Sequence, residues 1–184
     1  MGMVIPTDDF CVSDLDQFEG RNGRYELLDG ALIVTPLGTS RHQAICLQLG
    51  AALLAYVGKE QLGAVFAPGR VVVDSRTALE PDIVVVPGPA QLASAAWESH
   101  PAPLLAVEVL SPSTRSFDQF QKRNAYLRRG CSEYWLVDGD QRAVTVVRPD
   151  QHDQVVTDLL RWSPAAAREP FTISVSALLD APAR

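Results

Sequence analysis

Two acidic residues in this chain interrupt strongly apolar stretches, and a lysine follows them. Asp82 lies within LEPDIVVV at 79–86, Glu108 lies within LLAVEVL at 104–110, and Lys122 follows in a stretch with a helical pattern. Such apolar runs are typical of strands buried on both faces, where a carboxylate is costly unless a cation neutralises it. Each acid is therefore either paired with a cation or retained for chemistry.

If the two strands adjoin, the carboxylates of Asp82 and Glu108 approach and repel each other. A hard divalent cation such as Mg²⁺ relieves this conflict, polarises a phosphodiester and offsets charge on the leaving oxygen. An ammonium group at Lys122 would stabilise developing negative charge or orient the attacking water. Together the three residues predict a metal-dependent phosphodiesterase. Considered alone, Lys122 is better explained by a surface ion pair with Asp118, four residues earlier on the same helical face.

Two further polar residues are ambiguous when only their positions are considered. Glu26 precedes the Asp29-Gly30 pair on a half-buried strand, and this position favours an outward-facing charge near a hairpin. His42 lies in the first turn of a predicted helix, where an exposed polar residue is more common than a base.

The elements that position these residues alternate between strands and helices, which favours one α/β domain with a mixed central β-sheet flanked by helices. An Asp-Gly pair between two apolar runs, as at 29–30, is a strong hairpin signal. We predict strands over 24–28, 31–35, 64–67, 70–74, 81–86, 104–110, 133–138, 143–148 and 154–160. We predict helices over 12–19, 40–57, 117–129 and 175–179, with Ser40 capping the longest helix and Gly58 ending it. Residues 1–184 are expected to form a single domain, with a core over about 24–150, an N-terminal lead-in and C-terminal edge decoration.

The composition is that of an ordinary globular protein, with 47% hydrophobic and 21% charged residues. No apolar run is long enough to cross a membrane and no leader pattern is present, so we expect a cytoplasmic protein. The three scattered cysteines predict reduced structural residues, with Cys46 in the core. A net charge of −6 counts against non-specific coating of nucleic acid, so binding would depend on a local basic cluster. The candidates for this cluster are Arg115, Lys122, Arg123, Arg128 and Arg129. The same residues are equally consistent with a solvated helix face.

Several short motifs, taken in order, resemble those of the Uma family of restriction-endonuclease-like proteins, a branch of the PD-(D/E)xK nuclease superfamily. The resemblance covers about residues 10–150. The motifs are YELLDG at 25–30, RHQ at 41–43, PDIVVV at 81–86, EVLSPST at 108–114, Lys122 and EYWLVD at 133–138. The two motifs at 108–114 and 133–138 are the most specific, whereas the Pro-Asp pair alone is a weak signal.

The resemblance implies a restriction-endonuclease-like fold and a site in which Asp82 and Glu108 bind Mg²⁺ or Mn²⁺ with the Val109 backbone carbonyl. It further implies Lys122 as the catalytic lysine and Glu26 as an additional acid of the site. The chain departs from the superfamily pattern two residues after Glu108, where leucine replaces the usual lysine. Lys122 on the following helix would have to return its ammonium group to the metal. Ala31 is a second departure, because similar chains often have an acid there.

We therefore expect a metal-dependent endonuclease that hydrolyses DNA phosphodiester bonds. The resemblance implies products with 5′-phosphate and 3′-hydroxyl ends. A homodimer is expected, because cleavage of a duplex needs two cuts and one small domain offers one site. Two alternatives remain: a catalytically inactive nuclease-like module that binds nucleic acid or a protein, and a dimeric structural domain with buried ion pairs.

Overall fold

The structure is a computed structural model that describes residues 3–5, 10–18, 20–36, 38–89, 95–112 and 114–180. Ser113 of the 108–114 motif and Glu19 at the end of the first predicted helix lie outside the described residues. Within the described part there are thirteen strands and three α-helices. The strands are β1 (Met3–Ile5), β2 (Arg24–Leu28), β3 (Ala31–Thr35), β4 (Gly63–Phe66), β5 (Val71–Asp74), β6 (Thr77–Leu79), β7 (Ile83–Pro87), β8 (Leu105–Val109), β9 (Tyr134–Asp138), β10 (Ala143–Val147), β11 (Gln154–Val156), β12 (Leu159–Trp162) and β13 (Phe171–Ser174). The helices are α1 (Ser40–Glu60), α2 (Arg123–Arg128) and α3 (Val175–Leu179), with 3₁₀ segments at Val12–Phe18 and Trp97–Ser99 and a π-helical segment at Phe117–Lys122.

A six-stranded mixed sheet forms the centre of the molecule, in the order β11-β10-β9-β8-β7-β4. Strands β8 and β9 run parallel, whereas the other neighbouring pairs are antiparallel. A five-stranded sheet has the order β1-β3-β2-β6-β5, and β12 and β13 form a separate pair. The predicted mixed α/β architecture with flanking helices is therefore confirmed.

The two faces of the central sheet are both covered, which explains the near-continuous apolar runs of its strands. Odd-numbered residues of β7 and β8, such as Ile83 and Val107, pack against α1. Even-numbered residues, such as Val84 and Ala106, pack against α2 and the five-stranded sheet. Because side chains alternate along a strand, Glu108 shares the second face with Ala106. The alternation of side chains along β8 therefore determines the face of the sheet on which Glu108 lies.

The first hairpin forms as predicted, with β2 paired to β3 through Asp29-Gly30. Both turn residues have positive φ, 51° for Asp29 and 88° for Gly30, which is the conformation that this hairpin turn requires. The short strand β6 was not predicted, because three residues carry too little periodicity to be recognised. It joins the hairpin to β5, so β4 and β5 belong to different sheets.

The bounds of the helices differ from the prediction in three respects. Thr39, rather than Ser40, caps α1 by accepting a hydrogen bond from the His42 backbone N–H. Helix α1 continues past Gly58 to Glu60 and ends at Gln61 in the left-handed conformation. The helix predicted over 117–129 begins with the π-helical segment, whose wider turns include the buried Asp118 and Lys122. Such π-helical turns are uncommon and often lie at functional sites.

The C-terminal part, predicted as edge decoration, contributes buried side chains to the larger core. Leu160 and Trp162 of β12 and Phe171 of β13 pack in the same cluster as α1 and the central sheet. Leu178 and Leu179 of α3 also belong to this cluster. The single domain over residues 1–184 stays a prediction. None of the helices in the described ranges has the length and hydropathy that crossing a bilayer requires.

Candidate active site

The register of two antiparallel strands brings the predicted acids together. Ile83 of β7 lies opposite Val107 of β8. Because the strands are antiparallel, Asp82, one residue before Ile83, lies beside Glu108, one residue after Val107. Glu26 reaches the same place from β2 of the other sheet, and its side chain is buried. The outward-facing charge that spacing alone favoured for Glu26 is therefore not observed.

Lys122 lies at the centre of the buried acids. Its Nζ is 2.9 Å from Glu26 Oε1, 2.9 Å from Glu108 Oε1 and 3.5 Å from Asp118 Oδ1. The ion pair with Asp118 exists, but both residues are buried, so the surface pair favoured when Lys122 is considered alone is not observed. Tyr126, one turn after Lys122, donates its hydroxyl hydrogen bond to Glu108 Oε1 over 2.9 Å. The helical segment that follows β8 thus places the Lys122 ammonium group next to the acids. This placement is needed because leucine occupies position 110, where the superfamily pattern has lysine.

Asp82 is held by three donors from different parts of the chain. Arg24 Nη2 lies 2.5 Å from Oδ1, and the Val109 backbone N–H donates to Oδ2 over 2.7 Å. His42 Nε2 lies 3.2 Å from the same Oδ2. Arg24 also approaches Glu108, with 3.7 Å between Nη1 and Oε2. The guanidinium group therefore contacts both of the predicted metal-binding acids.

The surroundings of the site shift the pKa values of Asp82 and Glu108 in opposite directions. Burial opposes ionisation of Asp82, but the His42 hydrogen bond and the Arg24 charge outweigh it, so the pKa of Asp82 is lowered. Burial raises the pKa of Glu108 well above its usual value; Lys122 opposes this, while neighbouring carboxylates add to it. Burial would lower the pKa of Lys122, but Glu108, Glu26 and Asp118 together raise it. Lys122 is therefore a permanent cation.

The acids and bases line one cleft of about 300 Å³. Its carboxylates are Glu26, Asp82, Glu108 and Asp118, and its permanent cations are Arg24 and Lys122. Four carboxylates against two cations leave a formal charge of −2 in a buried site. Asp118 Oδ1 is buried without a hydrogen bond among the described residues. Oxygen donors with an excess of two negative charges fit one hard divalent cation, so the residues present match the metal that the resemblance implies.

A second group of ligand atoms lies on the α1 side of Asp82. One atom each from His42, Cys46 and Asp82 lies within 4.8 Å of the others. His42 therefore belongs to the site, contrary to the exposed position favoured from its spacing. The Cys46 thiol is partly buried, and burial followed by the Asp82 charge raises its pKa, which argues against a nucleophilic thiolate.

Sequence reasoning missed Arg24 and did not use Asp118 or His42. His42 lies in the RHQ motif, and Asp118 lies four residues before Lys122, so the sequence carries a signal for both residues. Arg24 carried none, because it lies 58 residues from Asp82 and only the packing of the two sheets joins them.

The four arginines of the predicted basic cluster near Lys122 each have a partner among the described residues. Arg115 pairs with Asp138, and Arg123 pairs with Asp153. The two remaining arginines are also engaged: Arg128 pairs with Asp29 and Asp74, and Arg129 donates to the backbone carbonyls of Val72 and His100. Each charge is therefore held by a local partner, and the interpretation of this cluster as a DNA-steering patch loses its support.

No curated protein matches the chain. Among solved structures, the chain is similar to one described as a "putative nuclease belonging to DUF820" from Anabaena variabilis ATCC 29413. The two are 21% identical with a TM-score of 0.77 over 93% of this chain and 98% of the other, which shows a shared fold. The family model described as "Putative restriction endonuclease" matches residues 12–176. The predicted resemblance is thus confirmed, and the chain belongs to the Uma2 family.

Proposed function

We propose that the protein is a Mg²⁺- or Mn²⁺-dependent endodeoxyribonuclease that hydrolyses phosphodiester bonds. Its family and the similar nuclease structure support a nuclease-like function. The single observation that carries the proposal is the buried formal charge of −2 in the cleft that contains Asp82, Glu108 and Lys122. Buried acids without enough cations destabilise a fold unless another ligand completes the site.

Asp82 and Glu108, with the Val109 backbone carbonyl, would hold the cation, and Glu26 would serve as a further ligand or orient the water. Asp82 and Glu108 lie side by side, and Val109 lines the same cleft. The cation, when bound, would polarise the scissile phosphodiester and offset charge on the leaving oxygen. Glu108 Oε2 lies 3.7 Å from Arg24 Nη1, an ion-pair contact that is longer than a hydrogen bond.

Lys122 would stabilise the negative charge that develops on the phosphate and would orient the attacking water. Its pKa is raised by Glu108, Glu26 and Asp118 against the effect of burial, so the ammonium group keeps its proton. A donor with a permanent charge suits transition-state stabilisation better than proton removal. We therefore assign the lysine the role of a hydrogen-bond donor.

Arg24 would bind a phosphate oxygen of the substrate once a cation is bound to Asp82. In the present arrangement its guanidinium bonds to Asp82 Oδ1. A cation on Asp82 would compete for that oxygen, and the released guanidinium would be available to a phosphate oxygen, for which its planar fork is suited.

The rest of the proposal concerns the biological setting. The substrate would be DNA, the products would carry 5′-phosphate and 3′-hydroxyl ends, and the active form would be a cytoplasmic homodimer with one site per subunit. Linearisation of a supercoiled plasmid without accumulation of nicked circles, together with a dimeric mass in light scattering, would support paired sites. Nicked product from a monomer would contradict this part of the proposal alone.

The central experiment measures cleavage of plasmid and single-stranded DNA in Mg²⁺, Mn²⁺ or EDTA. We expect cutting with either metal, no cutting in EDTA, and a loss of about 10²-fold or more in Lys122→Met. The matched control is Lys59→Met, because the Lys59 side chain is 70% exposed and lies outside the cleft. Cleavage that persists unchanged in Lys122→Met, or in Asp82→Ala, would overturn the proposal.

One observation favours the alternative of a binding module that does not cut. Both oxygens of Asp82 already have protein donors, from Arg24 on one side and from Val109 and His42 on the other. A permanently metal-free site would look the same. Calorimetric titration with Mn²⁺ separates the two functions: absence of binding, together with retention of DNA in a gel-shift assay, would support the alternative.

A further inference from the structure

A histidine and a cysteine on the first turns of α1 lie against Asp82. His42 and Cys46 are four residues apart, so they lie on the same face of the helix. His42 Nε2 is 3.2 Å from Asp82 Oδ2, and Cys46 Sγ is 3.5 Å from His42 Nδ1. One ligand atom from each residue lies within 4.8 Å of the other two.

The separation between His42 Nε2 and Asp82 Oδ2 is close to that of two ligands around a tetrahedral ion. Zinc bonds of about 2.0–2.3 Å to nitrogen, oxygen and sulfur place ligand atoms about 3.3–3.8 Å apart at tetrahedral angles. The nitrogen and oxygen are already at 3.2 Å, so an ion could replace the proton between them. The sulfur now lies beside the other ring nitrogen. One ligand atom of each residue lies within 4.8 Å of the others, so the sulfur would have to move closer by about 1 Å to coordinate the same ion.

The donor types differ from those of the acidic cleft. Imidazole and thiolate are borderline to soft ligands that suit Zn²⁺ and Co²⁺, whereas Mg²⁺ requires oxygen. The excess negative charge around Asp82 would favour any divalent ion. A cavity of about 510 Å³ opens next to Cys46 and Asp82, and Gln43 also lines it. Solvent and ions can therefore reach the sulfur from the side away from Lys122.

The same residues could instead be considered as a chain of thiol, imidazole and carboxylate for nucleophilic catalysis. Burial, followed by the charge of Asp82, raises the pKa of the Cys46 thiol, so a free thiolate is disfavoured. A divalent ion supplies the positive charge that the thiolate lacks, and coordination would displace the thiol proton. The environment that opposes a nucleophile is compatible with a metal ligand.

We propose that His42, Cys46 and Asp82 form a binding site for a borderline transition-metal ion such as Zn²⁺ or Co²⁺, distinct in ligand chemistry from the Mg²⁺ site of the acidic cleft. The fourth position would be open to water from the cavity. Binding itself does not depend on the proposed nuclease function. Because Asp82 is shared, a borderline ion would exclude Mg²⁺ from Asp82.

The test is a titration of the metal-free protein with Co²⁺, followed by absorbance. We expect one equivalent to produce a thiolate-to-cobalt charge-transfer band, which one equivalent of Zn²⁺ removes and excess Mg²⁺ does not. Cys46→Ser should abolish the band, and His42→Gln should weaken Co²⁺ binding at least tenfold. Cys11→Ser is the matched control and should keep the band, because Cys11 contacts Ser13 and Asp14 instead. Thermal melting without metal checks that each variant is folded, and Cys46→Ala replaces the serine variant if that variant unfolds.

Absence of the band in the unmodified protein, its persistence in Cys46→Ser or its loss in Cys11→Ser would overturn the proposal. A second consequence rests on the proposed function: equimolar Zn²⁺ should inhibit Mg²⁺-dependent cleavage, and Cys46→Ser should relieve the inhibition at least tenfold. A cobalt band without any cleavage would leave the metal site in place and refute the nuclease. Cleavage without a cobalt band would refute the metal site and leave the nuclease in place.

Discussion

The replacement of Glu108 by glutamine separates a metal ligand from a structural ion pair. The Glu108 side chain is buried and accepts hydrogen bonds from Lys122 and Tyr126 through Oε1. The amide oxygen of glutamine can accept the same two bonds, so the packing is preserved. The variant removes one negative charge from a cleft whose formal charge is −2.

The size of the effect follows from linkage between binding and folding. A cation present at 100 times its dissociation constant stabilises the folded protein by about 2.7 kcal/mol. For a chain of this length that corresponds to a rise in Tm of about 5–10 °C. Two unit charges 4 Å apart interact by about 4 kcal/mol at an effective dielectric constant of about 20, part of which is lost to desolvation. Loss of the Glu108 charge should therefore weaken binding about 100-fold, which reduces the stabilisation to about 0.4 kcal/mol and the rise in Tm to about 1–2 °C.

The assay is thermal unfolding with and without Mn²⁺, combined with calorimetric titration at the same pH. Glu60→Gln is the matched control, because the Glu60 side chain is also buried but accepts from the Arg168 backbone N–H, remote from the cleft. The control should keep the full metal-dependent rise in Tm. In metal-free protein, Glu108→Gln loses attraction to Lys122 but also loses repulsion from the other carboxylates, so its Tm should change by only a few degrees.

The reasoning would be refuted if Glu108→Gln kept the same metal-dependent rise in Tm as the unmodified protein. A large loss of metal-free stability with no response to Mn²⁺ in either protein would instead support the structural ion-pair interpretation. Equal loss of the metal response in Glu60→Gln would show that the effect is not specific to the cleft.

Three further predictions concern stability in the absence of metal. Lys122→Met leaves buried carboxylates uncompensated and should cost about 3–5 kcal/mol in urea unfolding, and a loss below about 1 kcal/mol would contradict the buried network. The hydrogen bond from Arg115 lowers the pKa of Asp138, whose side chain also accepts two backbone N–H groups. A carboxylate whose pKa is lowered by folding gives its full stabilisation above the pKa of the unfolded chain, about 3.9, and loses it as pH falls through the folded pKa. Asp138→Asn should therefore cost about 1–2 kcal/mol at pH 7, and the difference should shrink progressively as pH falls below about 4; a constant difference would refute this. Leu160→Ala should cost about 2–5 kcal/mol because the side chain is fully buried, whereas Leu159→Ala, next to it and 57% exposed, should change little in the same unfolding experiment.

The strands that carry the acids could be predicted because the signal is local. The apolar runs around Asp82 and Glu108 predict buried strands, and the Asp-Gly pair at 29–30 predicts the first hairpin. Each of these features depends on residues within about ten positions of one another. The same is true of helix α1, whose periodic face includes Ile45 and Leu49, both buried in the structure.

The contacts that complete the site could not be predicted because they join distant segments. Arg24 begins a strand of one sheet and bonds to Asp82, which directly precedes strand β7 of another, so its role depends on how the sheets pack. Asp118 looked like an exposed helix residue because an i,i+4 pair gives no sign of burial. Asp118 lies in the π-helical segment, for which no sequence signal is recognised. Tyr126, which follows this segment, packs against the central sheet.

The balance of charge distinguishes the cleft from the structural ion pairs elsewhere in the protein. Asp138 at the end of β9 has Arg115 as its cation, and Glu133 before the same strand has Arg148. In each case one buried acid meets one arginine, which is the arrangement expected of a network selected for stability. The cleft instead holds four carboxylates against two permanent cations, and burial raises the pKa of two of those acids, Glu108 and Asp118. A structural network gains nothing from two carboxylates in excess of its cations, whereas a site that binds a divalent cation requires them. The excess negative charge is therefore better explained by a ligand than by folding.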